Sequence, residues 1–318
     1  MKLATFMRDR QVQAVGVVDT TRGEVLDLAR AAESMGIAVP AFASMLSLIE
    51  GGDSALAAAR NIAERWPSQY AQPLAGTRLL APLPEPRQMR DCLVFEEHLL
   101  NAMKTWEKRT GKPSAPISPV WYQRPTWYKC NRMSVVGHET DVRWPPFSEL
   151  MDYELELACV IGRRGCNIPR GEAMSHIFGF TIFNDFSARD VQMIERPLGM
   201  GPMKGKDFDT GNVLGPWIVT TDEIGDPHTL AMEVRVNGER RGGGNSSGMH
   251  HRFEDILAFI SQSETLYPGE VIASGTVGTG CGLEIDRFLE PGDVVELDIE
   301  RIGVLRNRIV RAQTSGQD

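Results

Sequence analysis

Glu154 and Glu156 lie two positions apart, in a segment whose pattern predicts a β-strand. Acidic residues alternate with apolar ones from Asp152 to Leu157, and an unbroken apolar run continues through Ile161, as in a strand that is buried on both faces. Side chains of a strand alternate between its faces, so the two glutamates share one face. Buried like charges repel each other and are costly to desolvate, and a divalent cation would relieve that conflict. The alternative is an acidic, solvated edge strand.

Asp185 and Asp91 lie at the ends of other predicted elements. Asp185 follows the apolar strand 177–184 and opens a helix, where the competing role is that of an N-cap. Asp91 precedes a helix that begins near Glu96, and His98 lies at the start of that helix. A lone histidine on an amphipathic helix is more often structural, so His98 gains interest only if this helix start lies beside the acidic strand.

These four acids form an all-oxygen ligand set. Carboxylate oxygens select hard cations, Mg²⁺, Mn²⁺ or Ca²⁺, over Zn²⁺ or Cu²⁺. We predict that one hard divalent cation, Mg²⁺ before Mn²⁺ or Ca²⁺, lies next to the His98 imidazole. Its predicted ligands are Asp91, Glu154, Glu156 and Asp185.

The predicted secondary-structure elements divide the chain into an N-terminal domain, a linker, a catalytic domain that carries these groups, and a tail. Residues 1–72 predict a small N-terminal α+β domain without an evident cluster of ionisable groups, which we interpret as a lid or packing domain. Residues 73–86 carry four prolines and predict an extended linker. Residues 87–312 are the predicted catalytic domain, and residues 313–318 a frayed tail.

Three loops could contribute to a site. Residues 112–125 form a proline-containing loop, and four aromatic residues between 121 and 128 could close over a ligand or pack in a core. Residues 204–211 are rich in glycine and charge but lack the order of a P-loop. Residues 274–284 contain four glycines, which allow either a close backbone approach to a ligand or a plain flexible turn.

The composition excludes several classes of function. The chain has 318 residues, of which 42% are hydrophobic and 24% charged, as in an ordinary globular protein. A net charge of -8 argues against nucleic acid or an anionic membrane as the main partner. No apolar run approaches the roughly 20 residues that span a bilayer, and residues 1–9 lack the apolar core of a secretory signal. Five scattered cysteines fit reduced thiols, so we expect a cytoplasmic protein.

Several motifs, taken together, resemble the fumarylacetoacetate hydrolase family. They are Asp-Tyr-Glu-Leu-Glu-Leu-Ala at 152–158, Asn-Asp-Phe-Ser-Ala-Arg-Asp-Val-Gln at 184–192, the loop 206–210, Ser-Gly-Thr at 274–276 and Pro-Gly-Asp-x-Val-Glu at 291–296. The resemblance covers about residues 75–310. It implies an α+β fold in which a mixed β-sheet is rolled into a compact sandwich with peripheral helices, and it implies a homodimer.

The resemblance also implies roles for individual residues. The family's metal ligands fall on Glu154, Glu156 and Asp185, and the branch that includes fumarylacetoacetate hydrolase itself adds an aspartate seven residues before its catalytic histidine, as Asp91 is here. His98 is then the base, which a glutamate after the Gly-rich turn orients. The remaining implied roles are Glu284 as that glutamate, Arg189, Gln192 and Lys206 at a developing oxyanion, and Thr276 and Asn101 at the substrate.

The implied activity is hydrolysis of a carbon–carbon bond in a 1,3-diketo acid that resembles acylpyruvate or fumarylacetoacetate, in the catabolism of aromatic compounds or sugar acids. Leu93 and Glu107 stand where the family has a tyrosine and an arginine at the substrate, which argues against fumarylacetoacetate itself. Asn101, three residues after His98, favours hydrolysis. The alternatives are a hydratase, decarboxylase or isomerase of a 2-oxo acid through the same enolate at the metal, and a metal-stabilised binding protein without catalysis.

Overall fold

Eighteen strands lie within the residues that this computed structural model describes, 1–9 and 11–311; the predicted frayed tail, 313–318, lies outside them. In chain order they are β1 (Lys2–Arg8), β2 (Val12–Asp19), β3 (Glu24–Asp27), β4 (Ala71–Pro73), β5 (Met89–Cys92), β6 (Trp127–Lys129), β7 (Val135–Val136), β8 (Val142–Trp144), β9 (Met151–Asp152), β10 (Leu155–Ile161), β11 (Ile177–Asp185), β12 (Ser187–Ala188), β13 (Asn212–Thr220), β14 (Ala231–Val236), β15 (Glu239–Asn245), β16 (Val271–Ala273), β17 (Val294–Ile299) and β18 (Gly303–Arg311).

Nine α-helices surround these strands within the same described residues. They are α1 (Leu28–Ser34), α2 (Met45–Glu50), α3 (Gly52–Arg65), α4 (Glu96–Thr110), α5 (Pro119–Gln123), α6 (Arg189–Glu195), α7 (Thr221–Ile224), α8 (Phe253–Ile260) and α9 (Gly282–Ile285). Short 3-10 helices lie at Pro40–Phe42, Ser68–Tyr70, Arg132–Ser134, Arg170–His176, Arg196–Leu198 and Ser246–Gly248. Within 1–9 and 11–311, every helix is too short or too polar to cross a membrane.

The strands form mixed sheets, which confirms the predicted α+β class. The largest sheet has eleven strands in the order β4-β3-β2-β1-β13-β11-β10-β16-β5-β6, and β7 adds to it beside β13. A five-stranded sheet follows the order β15-β14-β17-β18-β8, and β12 pairs with β9. Most neighbouring strands are antiparallel, while β5 runs parallel to β16.

Strand β10 is a central strand of the largest sheet. All seven of its residues are buried, and it pairs with β11 on one side and β16 on the other. The uninterrupted apolar run Ala158–Ile161 is the sequence expected of a strand without a solvated face. Glu156 lies within this strand and Glu154 immediately before it, so both carboxylates are carried into the interior.

The pairing brings distant acids to one end of the sheet. Leu155 at the start of β10 pairs with Asn184 near the end of β11, and that register sets Asp185 beside the glutamates. On the other side, Ala273 of β16 pairs with both Ala158 and Asp91. The four predicted metal ligands therefore lie at the same end of neighbouring strands in the largest sheet.

Strands of the first 72 residues extend the largest sheet, because β1 pairs antiparallel with β13. The proline-rich segment 73–86 lies along β1, where the Leu80 amide donates to the Thr5 carbonyl over 2.9 Å and Ala81 and Leu83 are buried. The division into an N-terminal domain and a linker stays a prediction.

Phe6 of β1 offers a test of how the N-terminal strands contribute to stability. Its side chain is fully buried, so we expect Phe6→Ala to lower the free energy of unfolding by about 3–5 kcal/mol through lost burial and the cavity left behind. Urea denaturation followed by circular dichroism measures the change. The matched control is Val12→Ala on the neighbouring strand, where the side chain is 45% exposed. A loss below 1 kcal/mol for Phe6→Ala would show that this core is not tightly packed.

Candidate active site

Four acidic side chains converge where the largest sheet ends. Asp91 comes from β5, Glu156 from the start of β10, Glu154 from the position just before that strand, and Asp185 from the end of β11. Each offers an oxygen atom, and these four atoms lie within 4.8 Å of one another. All four residues are buried. The structure thus brings together the residues that the sequence nominates as ligands, and their ligand role is a prediction that metal titration can test.

Unpartnered oxygens show that this set fits a cation. Asp91 Oδ1, Glu156 Oε1 and Asp185 Oδ1 are buried and have no hydrogen-bond partner among residues 1–9 and 11–311. A buried acceptor left in this state costs about 1–3 kcal/mol, and more when it is charged. Hard divalent cations bind carboxylate oxygens in sets of this kind. The donor chemistry and the unused lone pairs therefore both suit a divalent cation.

The charges of the cluster are unevenly compensated. Burial raises the pKa of Asp91 and Glu156 well above the ordinary values, and repulsion from neighbouring carboxylates raises it further. Burial acts in the same direction on Glu154, but the positive charges of Arg189 and Lys206 outweigh it and lower the pKa of Glu154. The side of the cluster formed by Asp91 and Glu156 is therefore the side that lacks positive charge.

Lys206 reaches the cluster from the loop that follows α6. Its ammonium group donates to Glu154 and, over 2.5 Å, to Asp185 Oδ2. The same Asp185 oxygen accepts a hydrogen bond of 2.5 Å from the Tyr128 hydroxyl. Tyr128 is one of the four aromatic residues between 121 and 128. The sequence pattern allows two roles for them, closing over a ligand or packing in a core. The Tyr128 hydroxyl contacts a predicted ligand, which the sequence pattern did not indicate.

Asp152 holds two parts of the site together. It is fully buried, and its carboxylate accepts from Arg189 Nε over 2.8 Å and from the amides of Gly282 and Leu283, in α9, over 2.8 and 2.9 Å. Arg189 also donates from Nη2 to Glu154 over 2.6 Å. Sequence reasoning treated Asp152 only as part of the alternation. Its place two residues before Glu154 is the signal that could have identified it.

His98 and Glu284 form a hydrogen-bonded pair. The distance from His98 Nδ1 to Glu284 Oε1 is 2.9 Å, and the other carboxylate oxygen accepts from the Thr279 amide over 2.7 Å and from Asn101 Nδ2 over 3.2 Å. Burial raises the pKa of Glu284, but these hydrogen bonds outweigh it and lower the pKa below the ordinary value. A carboxylate only accepts, so Nδ1 carries the proton in the neutral ring and Nε2 has the free lone pair.

A cavity of about 500 Å³ connects the acidic cluster with His98. Among the predicted site residues, those that line it are Asp91, His98, Glu154, Glu156, Arg189, Gln192, Lys206 and Thr276. Within the described part of the chain, Asp185, Glu284 and Asn101 lie outside the lining, and Asn101 supports Glu284. Gln192 accepts from Arg189 Nη1 over 3.0 Å through its carbonyl oxygen, which leaves its amide nitrogen as a donor.

Gly275 shows why the segment 274–284 needs glycine. Its φ is +83°, and a side chain there would meet the carbonyl oxygen of Cys92. The Gly275 amide donates to Glu156 Oε2 over 3.1 Å. The close backbone approach is thus made to β5 and to a predicted ligand, and it brings the adjacent Thr276 to the cavity wall.

Glu156→Gln tests the metal site. We expect this change to weaken Mn²⁺ binding by about 100-fold or more, since loss of a residue that merely orients a ligand costs about 10–100-fold. In EDTA the variant should be no less stable than the original protein, because a buried acid with a raised pKa is replaced by a neutral amide. Isothermal titration and thermal unfolding measure the two effects, with exposed Glu172→Gln as control. Equal Mn²⁺ affinity in both variants would remove Glu156 from the ligand set.

Asp152→Asn tests the link between Arg189 and α9. The amide has the same shape, but its NH₂ group would face donors, so Arg189 would lose one of its two carboxylate partners. We expect the free energy of unfolding to fall by about 3–5 kcal/mol, as for other broken buried ion pairs. Chemical denaturation at neutral pH measures it, and exposed Asp141→Asn is the control. Equal stability of the two variants would contradict the anchoring role of Asp152.

A sequence model described as "Fumarylacetoacetate (FAA) hydrolase C-terminal" matches residues 92–310. The human protein "Oxaloacetate tautomerase FAHD2A, mitochondrial" is 46% identical over 178 residues, and this alignment spans 56% of each chain, so it covers little more than half of that relative. "Oxaloacetate tautomerase YisK" of Bacillus subtilis is 31% identical over 320 residues, which include 97% of this chain and 100% of that protein.

The fold is also similar to solved structures. The fumarylacetoacetate hydrolase of Exiguobacterium antarcticum superposes with a TM-score of 0.74 at 28% identity, over 98% of this chain and 100% of that one. The family match covers more than half of the sequence, and the alignment with the Bacillus protein extends over nearly all of it. The chain therefore belongs to the fumarylacetoacetate hydrolase family.

Proposed function

We propose that this chain is a divalent-cation-dependent isomerase that interconverts the keto and enol forms of a 2-oxo acid, as a tautomerase of the oxaloacetate type does. The observation that carries the proposal is the His98–Glu284 pair, which leaves Nε2 as the free ring nitrogen on the cavity that holds the acidic cluster. Two relatives with oxaloacetate tautomerase names support it. They favour the isomerase alternative of the sequence analysis over its first interpretation, hydrolysis.

Tautomerisation requires one proton to move between carbon and oxygen. His98 Nε2 takes the proton from C3 of the keto acid, the C3–H electron pair becomes the C2–C3 double bond, and the carbonyl pair moves to the oxygen on C2. The protonated imidazole then gives its proton to that oxygen, which completes the enol. Glu284 holds the ring and stabilises the positive charge that it carries between the two transfers.

Other groups of the site bind and orient the acid. A cation held by Asp91, Glu154, Glu156 and Asp185 would, when bound, act as a Lewis acid towards the 2-oxo group. Lys206 and Arg189 keep positive charge beside the cavity, and the Gln192 amide can donate to the developing negative oxygen. Thr276 is buried and lines the cavity, and its hydroxyl would be the group that binds a substrate carboxylate.

Hydrolysis of a carbon–carbon bond in a 1,3-diketo acid is the second candidate. The likeness to the Exiguobacterium fumarylacetoacetate hydrolase favours it. In that reaction His98 Nε2 would take a proton from water, the oxygen of water would add to a carbonyl carbon, and the bond to the adjacent carbon would break with its electron pair leaving as an enolate. The same residues would serve both reactions, so the two reactions must be distinguished by identifying their products.

His98→Gln tests the base. We expect kcat/KM to fall by about 10²–10⁴-fold, which is the usual contribution of a positioned general base, while Mn²⁺ affinity stays within about threefold. Stopped-flow absorbance of the enol and metal titration measure the two quantities. The control is His250→Gln, which changes an exposed histidine outside the cavity lining. If His98→Gln turns over at the original rate, His98 is not the base.

A panel of substrates separates the reactions. Purified protein with Mg²⁺ or Mn²⁺ is incubated with oxaloacetate, acylpyruvates and fumarylacetoacetate, and products are followed by NMR at short times. Interconversion with an intact carbon skeleton supports the isomerase; two acid products support hydrolysis, and CO₂ release supports a decarboxylase. Metal binding without any turnover would leave only the binding-protein alternative. Sedimentation of the same sample tests the homodimer that the family resemblance implies.

A further inference from the structure

One half of the cavity is apolar. Helix α4, which carries His98 at its start, continues along the cavity and presents Leu99, Met103 and Trp106 to it. These positions are four and three residues apart, so they form one continuous stripe on the helix. All three side chains are only partly buried by protein. The stripe is therefore an apolar wall that the protein itself leaves partly uncovered.

A second element adds apolar lining. Met193 from α6 and Pro197 and Pro202 from the segment after it line the same cavity, and Met193 is 36% exposed. Thr110 and Arg196 also line the cavity, and Thr110 lies at the end of α4 that is remote from His98. The acidic cluster and His98 occupy one end of the cavity, and an apolar slot leads away from them.

The size of the cavity exceeds what a four-carbon acid needs. Cavities of about 300–1,000 Å³ hold drug-sized ligands, and this one has about 500 Å³. An acid as small as oxaloacetate would occupy the polar end and leave the stripe on α4 in contact with water. A ligand that covers this stripe gains the free energy of removing apolar surface from water.

We propose that the site takes 2-oxo acids that carry an apolar substituent, aliphatic or aromatic, on the side remote from the carboxylate. The carboxylate and 2-oxo group lie at the acidic cluster, and the substituent lies between the α4 stripe and Met193. This inference rests on the proposed function for the identity of the reacting group. It adds the chemical class of the rest of the substrate, which the reacting group does not determine.

Binding of N-alkyl oxamates to the Mn²⁺-loaded protein tests the slot without requiring turnover. Oxamate resembles a 2-oxo acid, and its alkyl group can be lengthened from methyl to octyl. We expect affinity to rise about fourfold for each added methylene until the slot is filled, which corresponds to about 0.8 kcal/mol per methylene. Isothermal titration gives the constants. An affinity that stays flat or falls beyond ethyl would overturn the proposal.

Turnover of acylpyruvates with the same range of chain lengths separates this inference from the proposed function. A rise of kcat/KM with chain length, in step with oxamate affinity, supports both. If no acylpyruvate or other 2-oxo acid reacts while oxamate affinity still rises with length, the proposed function fails and the apolar slot stands. If oxaloacetate reacts well but longer chains bind and react no better, the slot proposal fails and the proposed function stands.

Variants of α4 locate the effect. Met103→Glu places a charge of similar length in the stripe, so the gain per methylene should disappear, whereas Met103→Leu should keep it. The control is Leu100→Glu, which puts the same charge on the outer side of the same helix, where Leu100 is 43% exposed. This change should leave the dependence of affinity on chain length unchanged. Thermal unfolding verifies that each variant is folded. An equal gain per methylene in Met103→Glu and the original protein would overturn the proposal.

Discussion

Buried negative charge is the constraint on which the rest of this structure depends. Five carboxylates, those of Asp91, Asp152, Glu154, Glu156 and Asp185, lie in or behind the wall of the cavity, and the cations that reach them are Arg189 and Lys206. Both cations contact Glu154, so the opposite side of the cluster keeps its like charges close together. Burial of uncompensated charge is far more costly than its exposure, and either protonation of these carboxyl groups or a further cation would compensate it. The fold therefore presents, in its interior, a set of carboxylates that suits a metal ion.

The pairing of strands and a single carboxylate fix the geometry around that charge. Antiparallel β10 and β11 deliver three acids to one end of the sheet, and the parallel pair β16 and β5 delivers Asp91 to the same end. Asp152 then joins Arg189 to the backbone of α9, the helix that carries Glu284. The cation side and the base side of the cavity consequently share one buried anchor. Through its hydrogen bonds, this carboxylate connects two groups that lie far apart in the sequence.

The sequence predicts the parts of this site that depend on local pattern. Strand β10 and the placement of Glu156 on it follow from alternation and an apolar run, whereas the predicted strand extends further back than β10, which begins at Leu155, one residue after Glu154. The meeting of Asp91 with the glutamates depends on the parallel pairing of β5 with β16, and contacts between strands so far apart in sequence leave no periodic signal. The extension of the sheet by β1 is equally non-local. Asn101 illustrates a further limit: its position on α4 is predictable, but the residue its amide contacts, Glu284, is set by the packing of α9.

The two candidate reactions place different demands on the surroundings of His98. Hydrolysis needs a water molecule held between Nε2 and a carbonyl carbon, whereas tautomerisation needs only that Nε2 reach two atoms of one substrate. Leu93 and Leu99 line the cavity on either side of His98 in the sequence, and neither side chain can hold a water molecule by hydrogen bonds. A substituent that fills the apolar slot would exclude more water still. Tautomerisation requires that the imidazole keep the proton it removes from carbon until it returns it to the same molecule, so exclusion of water from this end of the cavity would favour isomerisation over cleavage.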